Sequence, residues 1–227
     1  MCNRYGTPSP QALSTHFQVA VPSAPYRPYL GPLNDGIYIA GGQAIVGQWG
    51  LIPDRSKTKV PLRSDGKRLT TNNCRSEGMA SSWTFRRPWE KGQRCLIPAA
   101  DFDEPYWGSP TGKNIWWRFQ RADGLPWALA GLYNDWIDPA TGEVVHSYTM
   151  LTINADDHPI MRLMHKPDPR FAPDKQDKRG VISIEEADWQ QWLEGSADEA
   201  RQLLRVPAQE LIDQGPADTT VNERLLV

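Results

Sequence analysis

Ile115 to Ile137 reads IWWRFQRADGLPWALAGLYNDWI. Two β-prone runs, rich in Ile, Trp, Phe, Leu and Tyr, flank Ala122-Asp123-Gly124, whose Asp and Gly favour a turn. The stretch predicts a hairpin and with it a core built from strands. Gly36 to Pro53 (GIYIAGGQAIVGQWGLIP) adds two short strands broken at Gly41-Gly42. Gln93 to Pro98 (QRCLIP) reads as a buried strand and Val144 to Ile153 (VVHSYTMLTI) as another.

Helical signals lie toward the ends. Ser183 to Glu194 predicts a helix opened by a capping box, Ser183 with Glu186, and Ala197 to Arg205 predicts a second. Pro10 to Val19 is a weaker candidate, with Ser9 as cap and Pro10 in the first turn. Arg55 to Thr71 carries six basic residues in seventeen with little apolar periodicity and reads as an exposed loop or lid. Pro167 to Arg179 reads as a second polar loop.

The chain has 227 residues, enough for one good-sized domain with a substantial core. Its 39 % hydrophobic and 23 % charged residues are ordinary for a globular protein, and no apolar run approaches the ~18 residues of a membrane span. Twenty prolines and eighteen glycines make turns dense, which favours short strands and loops over a helical bundle. The expected fold class is α+β: a single domain with a strand-rich, barrel-like twisted sheet core flanked by a few helices. It spans 1–208, with 209–227 as a C-terminal tail.

Three cysteines, Cys2, Cys74 and Cys95, do not make a disulfide framework, and MCNRYG lacks the regions of a signal peptide. A reducing, cytoplasmic location is expected. His158 and His165 stand seven apart with no cysteine near, and Cys74 and Cys95 lack a CxxC partner, so no metal site and no cofactor are expected. The net charge of −2 conceals an asymmetry: Arg55 to Arg94 holds eleven bases against three acids, and Phe171 to Val227 twelve acids against six bases. A basic middle followed by an acidic end suits a surface that faces a polyanion.

Cys2 is the most informative position. Removal of Met1 would leave an N-terminal cysteine, a 1,2-aminothiol. With reference pKa values of ~7.7–8.0 for the amine and ~8.5 for the thiol, both groups are usable nucleophiles near neutrality. An aldehyde would form an imine with the amine, and the neighbouring thiol would close it to a thiazolidine, an intramolecular step favoured by proximity. Taken alone, a second-position cysteine is more often incidental than catalytic.

Its company changes that reading. Asn3-Arg4-Tyr5 follows directly, and the chain then gives WGLIP at Trp49 to Pro53, NNCRSE at Asn72 to Glu77, RCLIPAADFDE at Arg94 to Glu104 and MRLMHKP at Met161 to Pro167. In order and approximate spacing these resemble the motifs of the SRAP family, the SOS-response-associated peptidase domain, over roughly residues 1 to 193. The resemblance implies a covalent sensor of abasic sites in single-stranded DNA, acting through the Cys2 chemistry above, with associated AP lyase activity and self-reversal. It assigns Cys2 as nucleophile, Asn73 as holder of the amine or opened sugar, Glu104 as general acid/base and His165 as the group that polarises the sugar oxygen. Arg4 and Arg75 match positions that contact phosphates, and Arg86 and Arg87 would extend the positive surface. The implied partner is single-stranded DNA containing abasic sites, with the protein a monomer that associates with the nucleoid at damaged DNA.

Singly, these residues read otherwise: Asn73 as a turn residue, Glu104 as part of a solvated acidic triplet with Asp101 and Asp103, His165 as a surface histidine. Two other functions stay open, a thiol autopeptidase pairing Cys2 with His165 and a non-covalent single-strand binding module. Asn3, Asp54, Pro105 and the 168–179 loop depart from the usual family pattern. Asn3 is expected to crowd the backbone beside the nucleophile and Pro105 to alter the loop after Glu104.

Overall fold

The computed structural model describes every residue except 110, 111, 113 and 218–227. The strands are β1 (Arg4–Gly6), β2 (Tyr29–Leu30), β3 (Asp35–Ala40), β4 (Gln43–Trp49), β5 (Asn73–Arg75) and β6 (Arg94–Ala99). They continue as β7 (Asp101–Tyr106), β8 (Ile115–Arg121), β9 (Trp127–Ile137), β10 (Val144–Asn154), β11 (Arg179–Val181) and β12 (Ile212–Pro216). The helices are α1 (Pro10–Thr15), α2 (Arg86–Glu90), α3 (Trp189–Glu194) and α4 (Ala197–Gln202). The fold is α+β, as expected.

Strands β4, β3, β6 and β9 neighbour one another in that order, and β10 pairs with both β4 and β9, so five strands close into a barrel. The far half of β10 carries β5 and β11. A second sheet, ordered β12-β8-β7-β1-β2, leans on the barrel. Strand β6 is buried along its whole length because both its faces are covered. Cys95, Ile97 and Ala99 join one apolar cluster with Trp49, Phe102, Phe119 and Trp127, whereas Leu96 joins another with Leu132, Trp89 and Trp192. Each such fully buried large side chain contributes ~1.5–3 kcal/mol.

The expected hairpin over 115–137 is not one. Strand β8 pairs with β7, and β9 with β6, while β6 and β7 run almost end to end through Ala100. Both runs therefore lie along the same bent partner. From Ala99↔Trp127 to Phe102↔Phe119 the partner advances three residues while the β9–β8 side advances eight. The five extra residues, 122 to 126, form a bulge at the corner rather than a chain reversal. Asp123 holds this bulge by accepting from Arg121 Nη2 at 2.7 Å, and Gly124 takes the left-handed φ of +75° that it needs.

Ser183 does not cap a helix. Backbone bonds from Ile184 N to Ala128 O at 2.8 Å and from Ala130 N to Ile182 O at 2.8 Å draw this segment onto β9 in extended form. The helix begins only at Trp189, and the capping box stands one helix later, at Ser196 and Glu199. Ser9 does cap α1, accepting from Ala12 N at 3.2 Å. Within 209–227, Ile212–Pro216 adds an edge strand to β8, and the last ten residues lie outside the described ones.

Candidate functional site

Strand β1 is short and lies between β7 and β2, with Arg4 opposite Asp103 and Tyr5 opposite Phe102. This register carries Cys2 beside Glu104. The pairing is firmly backed: Tyr5 packs edge-on against Trp49 at 4.8 Å and its hydroxyl meets that of Tyr148. Trp49 in turn donates from Nε1 to Asn72 O at 2.9 Å, which fixes the approach to β5.

Asn73 Nδ2 donates to Cys2 O at 2.6 Å, and the Asn72 amide donates to Asn3 Oδ1 at 3.1 Å. Asn3 is thus tied in rather than crowding. The Oδ1 atoms of Asn72 and Asn73 are buried acceptors without a hydrogen-bond donor among the described residues. Acceptors so placed call for a donor-rich guest, such as an ammonium or sugar hydroxyls.

The acidic triplet is not solvated. Its residues lie on β7, where Asp103 is fully buried and accepts from Arg118 Nε at 2.9 Å and from the Tyr29 hydroxyl. Glu104 is only 2 % exposed. His165 Nε2 stands 2.9 Å from Glu104 Oε2 and 2.5 Å from the terminal nitrogen on Met1, which lies 3.8 Å from Glu104. Burial pushes the Glu104 carboxyl up, but the nearby terminal ammonium and His165 outweigh it and hold it below its ordinary value. The Cys2 thiol goes the other way: burial, and then the Glu104 charge, raise it well above the usual range. Cys2 Sγ donates to Arg4 O at 3.2 Å.

His165 adopts a left-handed φ of +60°, costly for a residue with a Cβ by ~1–2 kcal/mol. Two features hold it. Its N–H donates to Pro105 O at 2.7 Å, so Pro105 contributes the group a proline retains, its carbonyl. Lys178 Nζ donates to Met164 O at 2.7 Å and His165 O at 2.6 Å from a side chain only 7 % exposed. Burial lowers the Lys178 pKa. Sequence reasoning missed Lys178 and Asn72; Lys178 sits among the charges of the 168–179 departure, where no pattern distinguishes it.

The structure therefore brings Cys2, Asn73, Glu104 and His165 together. Arg75 lines an adjoining cavity of about 370 Å³ with Met1, His165, Lys178 and Arg179, and pairs with Asp177 at 2.6 Å. Arg4, two residues after Cys2 and the first residue of β1, lies 4.1 Å over the Trp116 ring. Arg86 and Arg87 are elsewhere, on α2, facing Glu90 at 3.6 Å and Asp54 at 2.9 Å. Among the described residues no three His, Cys, Asp or Glu side chains group as metal ligands.

Among solved structures, a Bordetella bronchiseptica protein superposes with a TM-score of 0.82 at 32 % identity, covering 96 % of this chain and all of that one. A Bacteroides thetaiotaomicron protein gives a TM-score of 0.75 at 18 % identity over 97 % of this chain and 94 % of its own, a likeness of fold alone. The abasic site processing protein HMCES of Gallus gallus is 28 % identical over 77 % of this chain and 52 % of its own length. That of Xenopus tropicalis is 32 % identical over 48 % of this chain and 36 % of its own. The chain thus spans about half the length, or less, of the curated relatives it matches. Residues 1–224 match the family model of the SOS response associated peptidases, SRAP, and the chain belongs to that family.

Proposed function

We propose that this protein captures abasic sites in single-stranded DNA, joining the ring-opened deoxyribose to the amine and thiol of Cys2 once Met1 is removed. The observation that carries this reading is the setting of the chain start. The ammonium of Met1, one residue before the amine that processing would expose, stands 2.5 Å from His165 and 3.8 Å from Glu104, which suits these groups to a cationic amine, and the Cys2 carbonyl is held by Asn73. The HMCES relatives, named as abasic site processing proteins, support the same substrate class.

The chemistry runs in two stages. The neutral α-amine attacks the aldehyde carbon and one of its protons passes through Glu104 to the aldehyde oxygen, giving a carbinolamine; the second, relayed the same way, lets the hydroxyl leave as water and leaves the imine. His165 donates to the sugar oxygen during ring opening. The thiol then adds to the imine carbon, forming the C–S bond. Its proton passes through Glu104 to the imine nitrogen, and the product is the protein plus the sugar less one water. Because burial and the Glu104 charge keep the thiol protonated, it reacts with Glu104 as its base rather than as a standing thiolate. Closure removes the imine through which β-elimination would cleave the strand, so adduct formation and lyase action compete. In reverse, Glu104 takes the ring N–H proton and passes it to the sulfur as the C–S bond breaks, and water hydrolyses the regenerated imine to release the strand.

The thiol and imidazole are not paired as in a thiol protease: Sγ faces Arg4 O and the ring faces the terminal nitrogen. The test is a denaturing gel of mature protein with an abasic single strand. A slow-migrating adduct absent from Cys2→Ala is expected; its persistence at full rate in Cys2→Ala would refute the assignment.

A further inference from the structure

Trp83 leaves 61 % of its surface in solvent, whereas Trp49, Trp127, Trp136 and Trp192 are buried. It is not loosely displayed. Ser82 fixes the turn on which it stands, accepting from Thr84 N at 3.2 Å through its side chain and from Arg86 N at 3.0 Å through its carbonyl. An exposed indole on a braced turn is an aromatic surface ready for a partner.

The partner's character follows from the surroundings. Trp83 walls a cleft of about 230 Å³ with Pro53, Asp54, Arg55, Arg86 and Arg87. Three cations and one carboxylate line it: Arg87 pairs with Asp54 at 2.9 Å, Arg86 faces Glu90 beside the cleft at 3.6 Å, and Arg55 is exposed. A flat ring beside surplus guanidinium groups fits a base with its phosphate.

Both walls lead back to Cys2. One continues from β5, whose Asn73 holds the Cys2 carbonyl, through residues 76–82 to Trp83. The other continues from Trp49, which bonds Asn72, through Leu51, whose N–H donates to Thr71 O at 3.2 Å, to Pro53 and Asp54. We propose that the Trp83 cleft is a nucleotide subsite, in which a base some nucleotides from the abasic site stacks on Trp83 while Arg55, Arg86 and Arg87 hold its phosphates. The proposal rests on the DNA reading above and adds where the strand runs after leaving the reaction centre.

The experiment measures binding of an intact, base-complete single strand of about twelve nucleotides, within the ~4–16 nucleotides that single-strand grooves cover. Trp83→Ala should weaken binding about tenfold, the loss of one stacked base, and Trp83→Phe should restore most of it. Arg86→Ala with Arg87→Ala should lower the slope of log affinity against log salt by ~1.4, two phosphates at ~0.7 each. Equal affinity of wild type and Trp83→Ala for this strand would overturn the subsite, as would a loss that Trp83→Phe does not restore. Wild-type cross-linking to an abasic strand, run in parallel, tests the underlying function separately.

Discussion

Replacing Lys178 with methionine tests how the reaction centre is held. The ammonium donates to the carbonyls of Met164 and His165 at 2.7 and 2.6 Å, and hydrogen bonds to charged groups are worth ~1.5–3 kcal/mol each. Methionine leaves two carbonyls unpaired but no longer requires a buried charge, so the global loss should be only about 1–3 kcal/mol. The local effect is larger. The two bonds exceed the ~1–2 kcal/mol of left-handed strain at His165, and without them the backbone relaxes and the imidazole leaves Glu104. A misplacement of ~1 Å is worth ~100-fold in rate, so cross-linking to an abasic strand should slow by ~10- to 100-fold. Urea unfolding gives the stability change and a quenched time course the rate, with binding of intact strand nearly unaltered. Lys178→Arg, which keeps the charge on a bulkier fork, should recover part of the rate. Wild-type cross-linking in a folded Lys178→Met protein would refute this positioning role, as would a rate that falls only in proportion to the unfolded fraction.

Three further outcomes are expected. Glu104→Gln keeps the size of the side chain but cannot relay protons, so cross-linking should slow by ~10²–10⁴-fold while intact-strand binding persists. Wild-type cross-linking should rise with pH from the acid side in a quenched time course, because only the neutral amine attacks. Burial raises the Glu77 carboxyl, yet Arg179, 2.6 Å away, outweighs it and depresses the pKa to about 2. A depressed folded pKa contributes stability above the ordinary carboxylate range that is lost as pH falls from about 4.5 toward 2. Since Glu77 is half-exposed, Glu77→Gln should cost only about 1 kcal/mol at neutral pH and flatten the acid limb of a urea-midpoint profile.

The strands were legible where burial follows a local period. In QRCLIP the run Cys95 to Pro98 is apolar because β6 is covered on both faces, and Gly41-Gly42 adopt positive φ between β3 and β4. The pairing of β8 and β9 was not legible. Ala122-Asp123-Gly124 has turn chemistry, but only the register against β6 and β7 shows that the chain bulges and runs on. Ser183 misled for a related reason: the local cap signal lost to backbone bonds from a distant strand. In the site, ordered motifs pointed to Cys2, Asn73, Glu104 and His165, but their convergence depends on β1 entering between β7 and β2. Lys178 bonds two backbone carbonyls thirteen and fourteen residues away, a role with no side-chain partner that spacing might reveal.

The most direct measurement is peptide mass mapping of the protein after reaction with an abasic single strand, without borohydride. The account predicts that the strand is attached to the amino-terminal peptide beginning at Cys2, with a mass equal to peptide plus DNA less one water. Attachment at a lysine, or an adduct that forms only when borohydride traps an imine, would contradict it.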